Sequence, residues 1–485
     1  MSKIYWGVSG FSHDASISVI SNNSLLFASS SERYSRIKND KNLNFELIND
    51  CLQYGPPDEV VWYENPYNRF LRVFLKDKNL YNPFIKPKIR KFIDKTKITF
   101  SNHHFSHLAT SLYTSPFDVK NSLGVVVDTV GELSTITIYN IKDLKKQNII
   151  YTQYYPDSLG LFYSSITQLV GLKPQEDEYI LMGMASFGKT DKYYNYFLEN
   201  FFDNGSLKID LRRGCRKLLK KNIIERDKFE IAHGAQKVFE TILLNLIKKY
   251  LKNTGYKKII MSGGCALNCT FNSKLLDLVE NMWIFPNPGD SGSAIGAALS
   301  KIKEPVYFEN LFLGHDSNNY PNINKVVDEI IKNNLVGVIN GRAEFGPRAL
   351  GNRSILADPR IKNIKNIVNS IKGRENFRPF APAILKEHFN DYFLNNSTSC
   401  YFPYMQYTFK SKYAKEFPGI VHIDDTSRVQ TVDETTPFLY NVLKKWYSLT
   451  KCPMLLNTSL NIKGKPLLNK REDIVEFSNK NFKIY

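Results

Sequence analysis

Two similar stretches decide the fold of this 485-residue chain: IYWGVSGFSHDASISVI at residues 4–20 and LGVVVDTVGELSTITIY at residues 123–139. In each, an apolar strand runs into a tight polar turn that contains an acid, and a second strand rich in small and β-branched residues follows. The first stretch predicts strands over 4–8 and 15–20, with a third at 25–28. The second predicts strands over 123–127 and 135–139. The repetition predicts an α/β protein built by internal duplication.

A strand, a polar turn with an acid and a second strand form the hairpin of the actin-like ATPase fold, in which two related halves enclose a nucleotide cleft. We therefore predict a duplicated actin-like ATPase domain over residues 1–320. An amphipathic helix over 231–250 and a strand over 258–261 fit its second half. Periodicity is lost at 301–320, and a strand at 335–340 begins a smaller α/β domain over 321–485.

The composition is that of a globular protein, with 42% hydrophobic and 23% charged residues. No apolar run reaches the roughly 18–20 residues of a membrane span, and the N-terminus is typical of a buried strand rather than a secretory signal. The six cysteines form no CxxC pair, which argues against a zinc ribbon or a disulfide scaffold. We expect a cytoplasmic protein without a membrane partner. The oligomeric state stays open.

The chain is basic, with a formal net charge of +18. Two stretches concentrate this charge, Lys86 to Lys97 and Arg212 to Lys221. A polyanionic partner such as nucleic acid is one interpretation. The other is a solvated lysine-rich surface, because the whole chain is rich in Lys, Asn and Ile.

The sequence NHHFSH at 102–107 is the first candidate site. On a helix, His103 and His107 lie on one face and can bind one metal ion, while His104 points elsewhere. A bare HxxxH pair is more often incidental, so a metal site needs a further, preferably anionic, ligand. Asp128 at the end of its strand and Asp290 in PGDSG are the candidates.

Two glycine-rich segments are candidates for nucleotide contact. Gly263 and Gly264 follow the strand predicted at 258–261, where their amides can approach a phosphate or a ribose. The alternative is an ordinary tight turn. The segment NPGDSGSAIGAA at 287–298 has small residues every three or four positions. It indicates either close helix packing or, with Asp290 at its entry, closure of a nucleotide site.

A third candidate site is rich in arginine. The segment GRAEFGPRALGNRSILADPR at 341–360 holds four arginines between turns, and KGRENFRPFAP follows at 372–382. Such a cluster fits a clamp for a phosphate or carboxylate; an interdomain salt-bridge cluster is the alternative. The segment LNTSLN at 456–461 offers amides and hydroxyls to a small polar group.

Taken in order, these segments resemble the carbamoyltransferase family of nodulation-factor and antibiotic-tailoring enzymes. The resemblance covers nearly the whole chain and rests on GFSHDAS, SERYSR, NHHFSH, VVVDTVGE, DEYILMGMASFG, SGGCALN, PNPGDSGSAIGAA, the arginine segment, RENFRPFAP, DDTSRVQTV and LNTSLN. In this family the N-terminal domain is similar to the tRNA threonylcarbamoyladenosine ligase. The C-terminal domain is similar to its carbamoyl-adenylate-forming partner.

The resemblance implies a role for each matching residue. Metal ligands, for iron in relatives or else for magnesium or manganese, would be His103, His107, Asp290 and Asp128. Nucleotide contacts would be Gly263, Gly264 and Asn268. The carbamoyl phosphate pocket would comprise Arg348, Lys372, Arg378, Asn457 and Ser459, of which the three basic residues are also assigned to catalysis. His13 would act near the acceptor, with a role as general base as the hypothesis.

The resemblance also implies a two-step reaction with carbamoyl phosphate and ATP as co-substrates. The C-terminal domain would form carbamoyl-adenylate, and the N-terminal domain would transfer the carbamoyl group to a hydroxyl. This sequence has Ile180, Ser186 and Asp425 where the family usually has lysine, proline and glycine. A cation near the nucleotide is therefore missing or supplied elsewhere.

The acceptor is left open by the sequence. The basic charge favours a hydroxymethylated pyrimidine in nucleic acid, and a sugar is the other candidate. A tRNA threonylcarbamoyladenosine-type ligase is a rival interpretation, against which the C-terminal arginine segment counts. A catalytically silent nucleic-acid-binding relative is the second rival, and it would have lost the histidines or the arginines.

Overall fold

The computed structural model describes residues 3–74, 85–93, 96–212, 214–215, 219–397 and 399–485. The chain divides into two compact units. The first unit comprises Met1–Ser9, Ile17–Ser24 and Gly55–Tyr307, and the second comprises Gly10–Ser16, Leu25–Tyr54 and Phe308–Tyr485. The predicted division of function at residue 320 stays a prediction. Both basic stretches of the sequence, at 86–97 and 212–221, lie partly outside the described residues.

The strands of the described residues are β1 (Ile4–Ser9), β2 (Ser16–Ser21), β3 (Ser24–Ser30), β4 (Glu59–Trp62), β5 (Lys97–Phe100), β6 (Ser122–Gly131), β7 (Ser134–Ile141), β8 (Gln147–Tyr154), β9 (Phe202–Asp203), β10 (Ser206–Leu207), β11 (Lys258–Ser262), β12 (Asn281–Ile284), β13 (Leu335–Ile339), β14 (Arg353–Ala357), β15 (Ala381–Leu385), β16 (Phe393–Leu394), β17 (Thr408–Ser411), β18 (Thr426–Arg428), β19 (Gln430–Val432) and β20 (Met454–Ser459).

The helices are α1 (Glu32–Ser35), α2 (Phe45–Leu52), α3 (Pro66–Arg72), α4 (Ile85–Arg90), α5 (His103–Leu112), α6 (Leu159–Leu169), α7 (Glu178–Ala185), α8 (Lys192–Phe201), α9 (Lys221–Thr254), α10 (Cys269–Leu276), α11 (Ser293–Ile302), α12 (Ile323–Asn333), α13 (Ile364–Lys372), α14 (Phe389–Tyr392) and α15 (Pro437–Thr450). Short 3₁₀ helices cover Gly264–Leu267, Lys386–His388 and Arg471–Phe477.

Two five-stranded sheets have the same strand order. One runs β3-β2-β1-β4-β5 and the other, read in the same sense, runs β8-β7-β6-β11-β12. In each sheet, read in this order, the third, fourth and fifth strands are parallel to one another. These are β1, β4 and β5 in one sheet and β6, β11 and β12 in the other. In each, a helix follows the fifth strand: α5 after β5 and α11 after β12. The predicted α/β class and duplicated actin-like ATPase domain are confirmed by this repeated topology.

The helices α5 and α11 pack directly against each other. A Cβ atom added at Gly296 of α11 would lie 1.7 Å from the carbonyl oxygen of Ser106 in α5. No side chain fits such a contact, so glycine is required where the two backbones meet. The interpretation of residues 287–298 as a close-packing segment is therefore confirmed. The packing also brings the loop before α11 to the histidines of α5.

Two elements differ from their predicted bounds. Helix α9 begins at Lys221, ten residues before the predicted start, and Asp227 within it has non-helical dihedral angles. Its first turns are mostly polar and therefore lack the apolar periodicity on which the prediction rested. Strand β6 continues to Gly131, where a turn was predicted, but its pairing with β7 shifts register between Val127 and Gly131.

The second unit contains a five-stranded sheet of order β13-β14-β20-β15-β19 and a three-stranded sheet of order β16-β17-β18. Strand β13 confirms the strand predicted at 335–340. Strands β14 and β20 are adjacent and antiparallel, so the arginine segment before β14 and the LNTSLN segment belong to neighbouring strands. None of the helices that the structure describes is long and apolar enough to cross a bilayer.

Candidate functional site

The two histidines of the NHHFSH segment converge at the start of helix α5. The side chain of Asn102 caps the helix by accepting a hydrogen bond from the Phe105 amide at 3.0 Å. His103 and His107 are thereby one turn apart, and both are buried. Their Nε2 atoms lie 3.1 Å from each other. His104 points away and bonds Thr137, as predicted.

Two carboxylates complete this group. The Oδ2 atom of Asp128 lies 3.2 Å from His103 Nε2, and the Oδ1 atom of Asp290 lies 3.3 Å from His107 Nε2. One ligand atom from each of the four residues lies within 4.8 Å of all the others. We call these four residues the metal cluster. Asp128 reaches it from the irregular part of β6, and Asp290 from the loop before α11.

The pKa values of the residues in the metal cluster are set by burial and by the opposite charges of their neighbours. Burial opposes protonation of His103, but the charge of Asp290 and a hydrogen bond to Asp128 outweigh it and raise the pKa of His103 to about 10. Burial also opposes protonation of His107, and hydrogen bonds to the two aspartates raise its pKa. Burial opposes ionisation of Asp128, yet hydrogen bonds from both histidines hold its pKa well below 3.8. Without a metal, the two carboxylates therefore favour protonation of the histidines.

These residues fit a divalent metal ion. Metal–ligand distances of about 2.0–2.2 Å place neighbouring ligand atoms roughly 3–3.5 Å apart, the spacing seen between histidine and carboxylate atoms here. The donor set of two imidazoles and two carboxylates suits iron and also accepts manganese or magnesium. A bound divalent ion would compete with the protons that the carboxylates favour on the histidines in its absence.

Contacts behind the metal cluster orient its ligands. His107 Nδ1 lies 3.0 Å from the carbonyl oxygen of Pro288 and 2.9 Å from Ser293 Oγ. A proton on Nδ1, donated to the carbonyl, leaves the lone pair of Nε2 directed into the cluster. His103 Nδ1 lies 3.7 Å from a carboxylate oxygen of Glu64. The sequence interpretation missed Glu64, which carries no local motif.

The Gly263–Gly264 turn lies beside Asp128. Gly263 has a φ of +94°, and a Cβ atom there would lie 2.2 Å from the carbonyl oxygen of Val127. The polar atoms of Asn268 are occupied: its Oδ1 caps α10 at the Phe271 amide, and its amide bonds Gln236. Nucleotide contact by Gly263, Gly264 and Asn268 stays a prediction.

Ile180 is the position where the family usually has a lysine. Its side chain is buried in helix α7. Burial at this position would penalise an unpaired cation. The sequence departure is therefore compatible with a buried position.

Lys372 is the centre of the predicted pocket in the second unit. Its ammonium group donates to the backbone and side-chain oxygens of Ser459 and Asn461. We call these three residues the lysine cradle. Among the described residues, every acceptor of this ammonium is a neutral oxygen. Burial, reinforced by the charges of Arg374 and Arg378, lowers the pKa of Lys372 well below 10.5.

Asn457 lies two residues before Ser459 on β20 and is 1% exposed. Its Nδ2 donates to Ala349 O at 3.2 Å and to Gln430 Oε1 at 2.8 Å. Its Oδ1 is buried and has no hydrogen-bond donor within the described part of the chain. Such an acceptor costs free energy unless a ligand supplies the donor. Arg378, also predicted for this pocket, is 9% exposed.

Three of the four arginines at 341–360 are structural, which corrects the interpretation of the whole segment as a clamp. Arg353 is fully buried and donates to the backbone carbonyls of residues 315, 340, 341, 352 and 469. Arg342 bonds the carbonyls of residues 26, 313 and 314. Arg360 pairs with Asp358. Arg348, the residue predicted to bind carbamoyl phosphate, is half-buried in the bend before β14.

His13 lies in the segment between β1 and β2. Its Nδ1 is 3.0 Å from Asp14 Oδ2, and about a third of its side chain is exposed, 32%. This neighbour favours the tautomer in which Nε2 is free of a proton, as a base requires. Its role near the acceptor stays a prediction.

The fold is that of an α/β protein with a cluster of histidines and carboxylates in one unit and a buried lysine among polar groups in the other. Residues 60–299 match the family model "Carbamoyltransferase N-terminus", and residues 327–484 match "Carbamoyltransferase C-terminus". An uncharacterized protein of Synechocystis is 30% identical over 96% of this chain and 92% of its own length. The nodulation protein NolNO of Sinorhizobium fredii is 28% identical over 96% of this chain and 76% of its own length. The chain therefore belongs to the carbamoyltransferase family and is an enzyme of that class.

Among solved structures, full-length HypF in its phosphate- and nucleotide-bound form matches 62% of this chain and 55% of its own, with 15% identity and a TM-score of 0.42.

Proposed function

We propose that this protein is an O-carbamoyltransferase that uses carbamoyl phosphate and ATP at two separate sites. The second unit forms carbamoyl-adenylate, and the metal cluster of the first unit is the place of transfer to a hydroxyl. The observation that carries the proposal is the metal cluster, in which four ligand atoms lie within 4.8 Å of one another. Two imidazoles and two carboxylates at that spacing form a complete ligand set for a cation.

The second unit is suited to binding carbamoyl phosphate. Its phosphate is an anion, and Lys372 is a buried amine whose bonded acceptors are neutral oxygens, so a bound anion would favour its protonated form. Its carbamoyl end carries an NH₂ group, and Oδ1 of Asn457 is a buried acceptor without a donor. Arg348 and Arg378 add positive charge for the phosphates of the two substrates. Phosphate and amine are thus both matched by groups of this unit.

The first step needs carbamoyl phosphate, water and ATP. Water releases phosphate and leaves carbamate, whose oxygen attacks the α-phosphate of ATP, and pyrophosphate departs. The products are carbamoyl-adenylate, phosphate and pyrophosphate. Arg348, Lys372 and Arg378 would stabilise the negative charge that develops on the phosphates. Because the three N–H donors of Lys372 already have four oxygens within reach, the residue would contribute mainly by its charge.

The second step transfers the carbamoyl group from the adenylate to the hydroxyl, and AMP leaves. A metal ion in the cluster would supply Lewis acidity and hold the phosphate of the adenylate. Backbone amides at Gly263 and Gly264 would bind the nucleotide. His13 would accept the proton of the attacking hydroxyl. The acceptor would be a hydroxymethylated pyrimidine in nucleic acid or a sugar.

Mass spectrometry of the acceptors tests this function. The wild-type protein, ATP and carbamoyl phosphate are incubated with a hydroxymethylcytosine oligonucleotide and with a panel of sugars. We expect one acceptor to gain the mass of one carbamoyl group, and His107→Ala to give no such product. A gain of a threonylcarbamoyl group on tRNA would instead support the rival ligase. No product with any acceptor, despite pyrophosphate release, would contradict transfer to these hydroxyls.

Salt dependence separates the two acceptor classes. If the acceptor is nucleic acid, the protein neutralises several phosphates, and binding weakens steeply with added salt. A small neutral sugar gives no such slope. A reaction on the oligonucleotide that is insensitive to salt would contradict a basic nucleic-acid surface.

A further inference from the structure

Glu132 holds the helix that carries the two histidines. Its Oε1 accepts hydrogen bonds from the backbone N–H of Asn65 at 2.7 Å and of His103 at 3.0 Å. Its Oε2 accepts from the side-chain amides of Asn68 at 3.0 Å and Asn102 at 3.1 Å. The residue is buried. One carboxylate therefore accepts four N–H donors, which uses its lone-pair sites fully.

These four donors belong to the beginnings of two helices. Asn65 is the N-cap of α3 and accepts from the Tyr67 amide, while Asn102 is the N-cap of α5 and accepts from the Phe105 amide. The first turn of a helix has unpaired amides and a partial positive charge. A buried carboxylate between two such ends is therefore stabilised and in turn fixes both caps.

The turn that holds Glu132 is shaped around His103. Glu132 has a φ of +53°, which is uncommon for a residue with a side chain. Its neighbour Gly131 touches the imidazole: a Cβ atom there would lie 2.0 Å from Cδ2 of His103. Two successive residues thus contact the backbone and the ring of the same histidine. A non-glycine residue that retains a strained conformation in such a place indicates a function.

Glu132 lies in the same hairpin as Asp128 of the metal cluster. Asp128 and Glu132 both belong to the β6–β7 hairpin, whereas His103 and His107 belong to α5. Glu132 therefore fixes the ligands of α5 relative to the ligand of β6. We propose that Glu132 is the positioning residue of the metal cluster. The inference rests on the proposed metal site and goes beyond it, because Glu132 itself is not one of the four ligands.

Binding of Co²⁺ to the metal-free protein tests this inference without an assay of activity. Partners behind the ligands of a metal site change metal affinity by about 10–100-fold when they are replaced. We expect Glu132→Ala to weaken Co²⁺ binding by that factor and to shift the visible absorption of bound Co²⁺. Glu132→Gln is expected to have a smaller effect, because its carbonyl oxygen still accepts from both backbone amides.

Glu230→Gln is the matched control. Glu230 also accepts two backbone N–H bonds, from Lys189 and Thr190, in the same unit but outside the cluster. Its replacement should leave Co²⁺ affinity and absorption at wild-type values. If Glu132→Gln and Glu132→Ala both bind Co²⁺ like the wild type and the control, Glu132 has no positioning role.

Amide hydrogen exchange of the metal-free protein separates the inference from the metal site itself. We expect the amides at the start of α5 to exchange faster in both Glu132 variants, while the end of α5 and the control remain protected. If the wild type binds no Co²⁺, the proposed metal site is wrong whatever the exchange shows. If exchange at the start of α5 is unchanged in both variants, Glu132 does not hold the helix, and the inference is wrong.

Discussion

The metal cluster and the lysine cradle differ in how their surroundings shift the pKa values of their basic groups. In the cluster, two carboxylates face two histidines, and the mutual attraction raises the pKa of both histidines against the effect of burial. In the cradle, burial and two neighbouring arginines lower the pKa of the lysine. The first region has ligand atoms arranged for a cation, and the second has cationic charge that an anion would stabilise. Buried groups can thus show which charge a ligand must bring.

The largest effect is expected when one carboxylate of the metal cluster is neutralised. Asp290→Asn keeps the size of the side chain but removes the charge beside His107 Nε2, 3.3 Å away. We expect bound metal to fall from about one per chain to a small fraction, and transfer to fall more than about 100-fold. Elemental analysis and product mass spectrometry measure the two quantities.

Asp143→Asn is the control for this change, because Asp143 caps an exposed turn of the same unit at the amides of Lys145 and Lys146. It should retain wild-type metal content. Full metal content and transfer in Asp290→Asn would show that the cluster does not depend on its carboxylates.

A second, smaller effect is expected to distinguish a structural arginine from one in the carbamoyl phosphate pocket within the same segment. Arg353→Met removes donors from five buried backbone carbonyls. We expect the free energy of unfolding to fall by about 3–5 kcal/mol. Arg348→Met, in a half-buried bend, should change stability by less than about 1 kcal/mol and slow pyrophosphate release about 100-fold. Denaturant unfolding and a pyrophosphate assay distinguish the two. Equal destabilisation by both variants would remove Arg348 from the pocket.

The sequence predicted which four residues come together in the metal cluster, because each belongs to a local pattern. His103 and His107 are four apart on one helix, and Asp128 directly follows the predicted strand over 123–127. The residue pattern alone could not separate Arg348 from Arg353, and only the family resemblance singled out Arg348. The carbonyls that bind Arg353 come from segments as distant as residue 469. Glu132 was missed for the same reason. Its role depends on a positive φ and on donors from two other segments, the beginnings of α3 and α5.

The smallest effect concerns pH and the lysine cradle. Because burial lowers the pKa of Lys372, this lysine loses its charge at a lower pH than an exposed lysine. The unfolded chain binds that proton more tightly, so the stability of the fold rises with pH between the folded pKa and 10.5. Carbamoyl phosphate binding should weaken over the same window, by roughly tenfold.

Lys372→Arg tests this dependence, because arginine stays charged at alkaline pH. The KM for carbamoyl phosphate, measured through pyrophosphate release, should rise at a higher pH in this variant than in the wild type. Identical alkaline limbs in the two proteins would show that Lys372 does not govern binding of the anion.

The central claim is that activation and transfer use separate groups of residues, and one comparison tests it directly. Pyrophosphate release and carbamoyl transfer are measured side by side for the wild type, His107→Ala and Arg348→Ala. We expect that His107→Ala still releases pyrophosphate from ATP and carbamoyl phosphate but transfers nothing, whereas Arg348→Ala loses both. Near wild-type transfer by His107→Ala, or unchanged pyrophosphate release by Arg348→Ala, would contradict it.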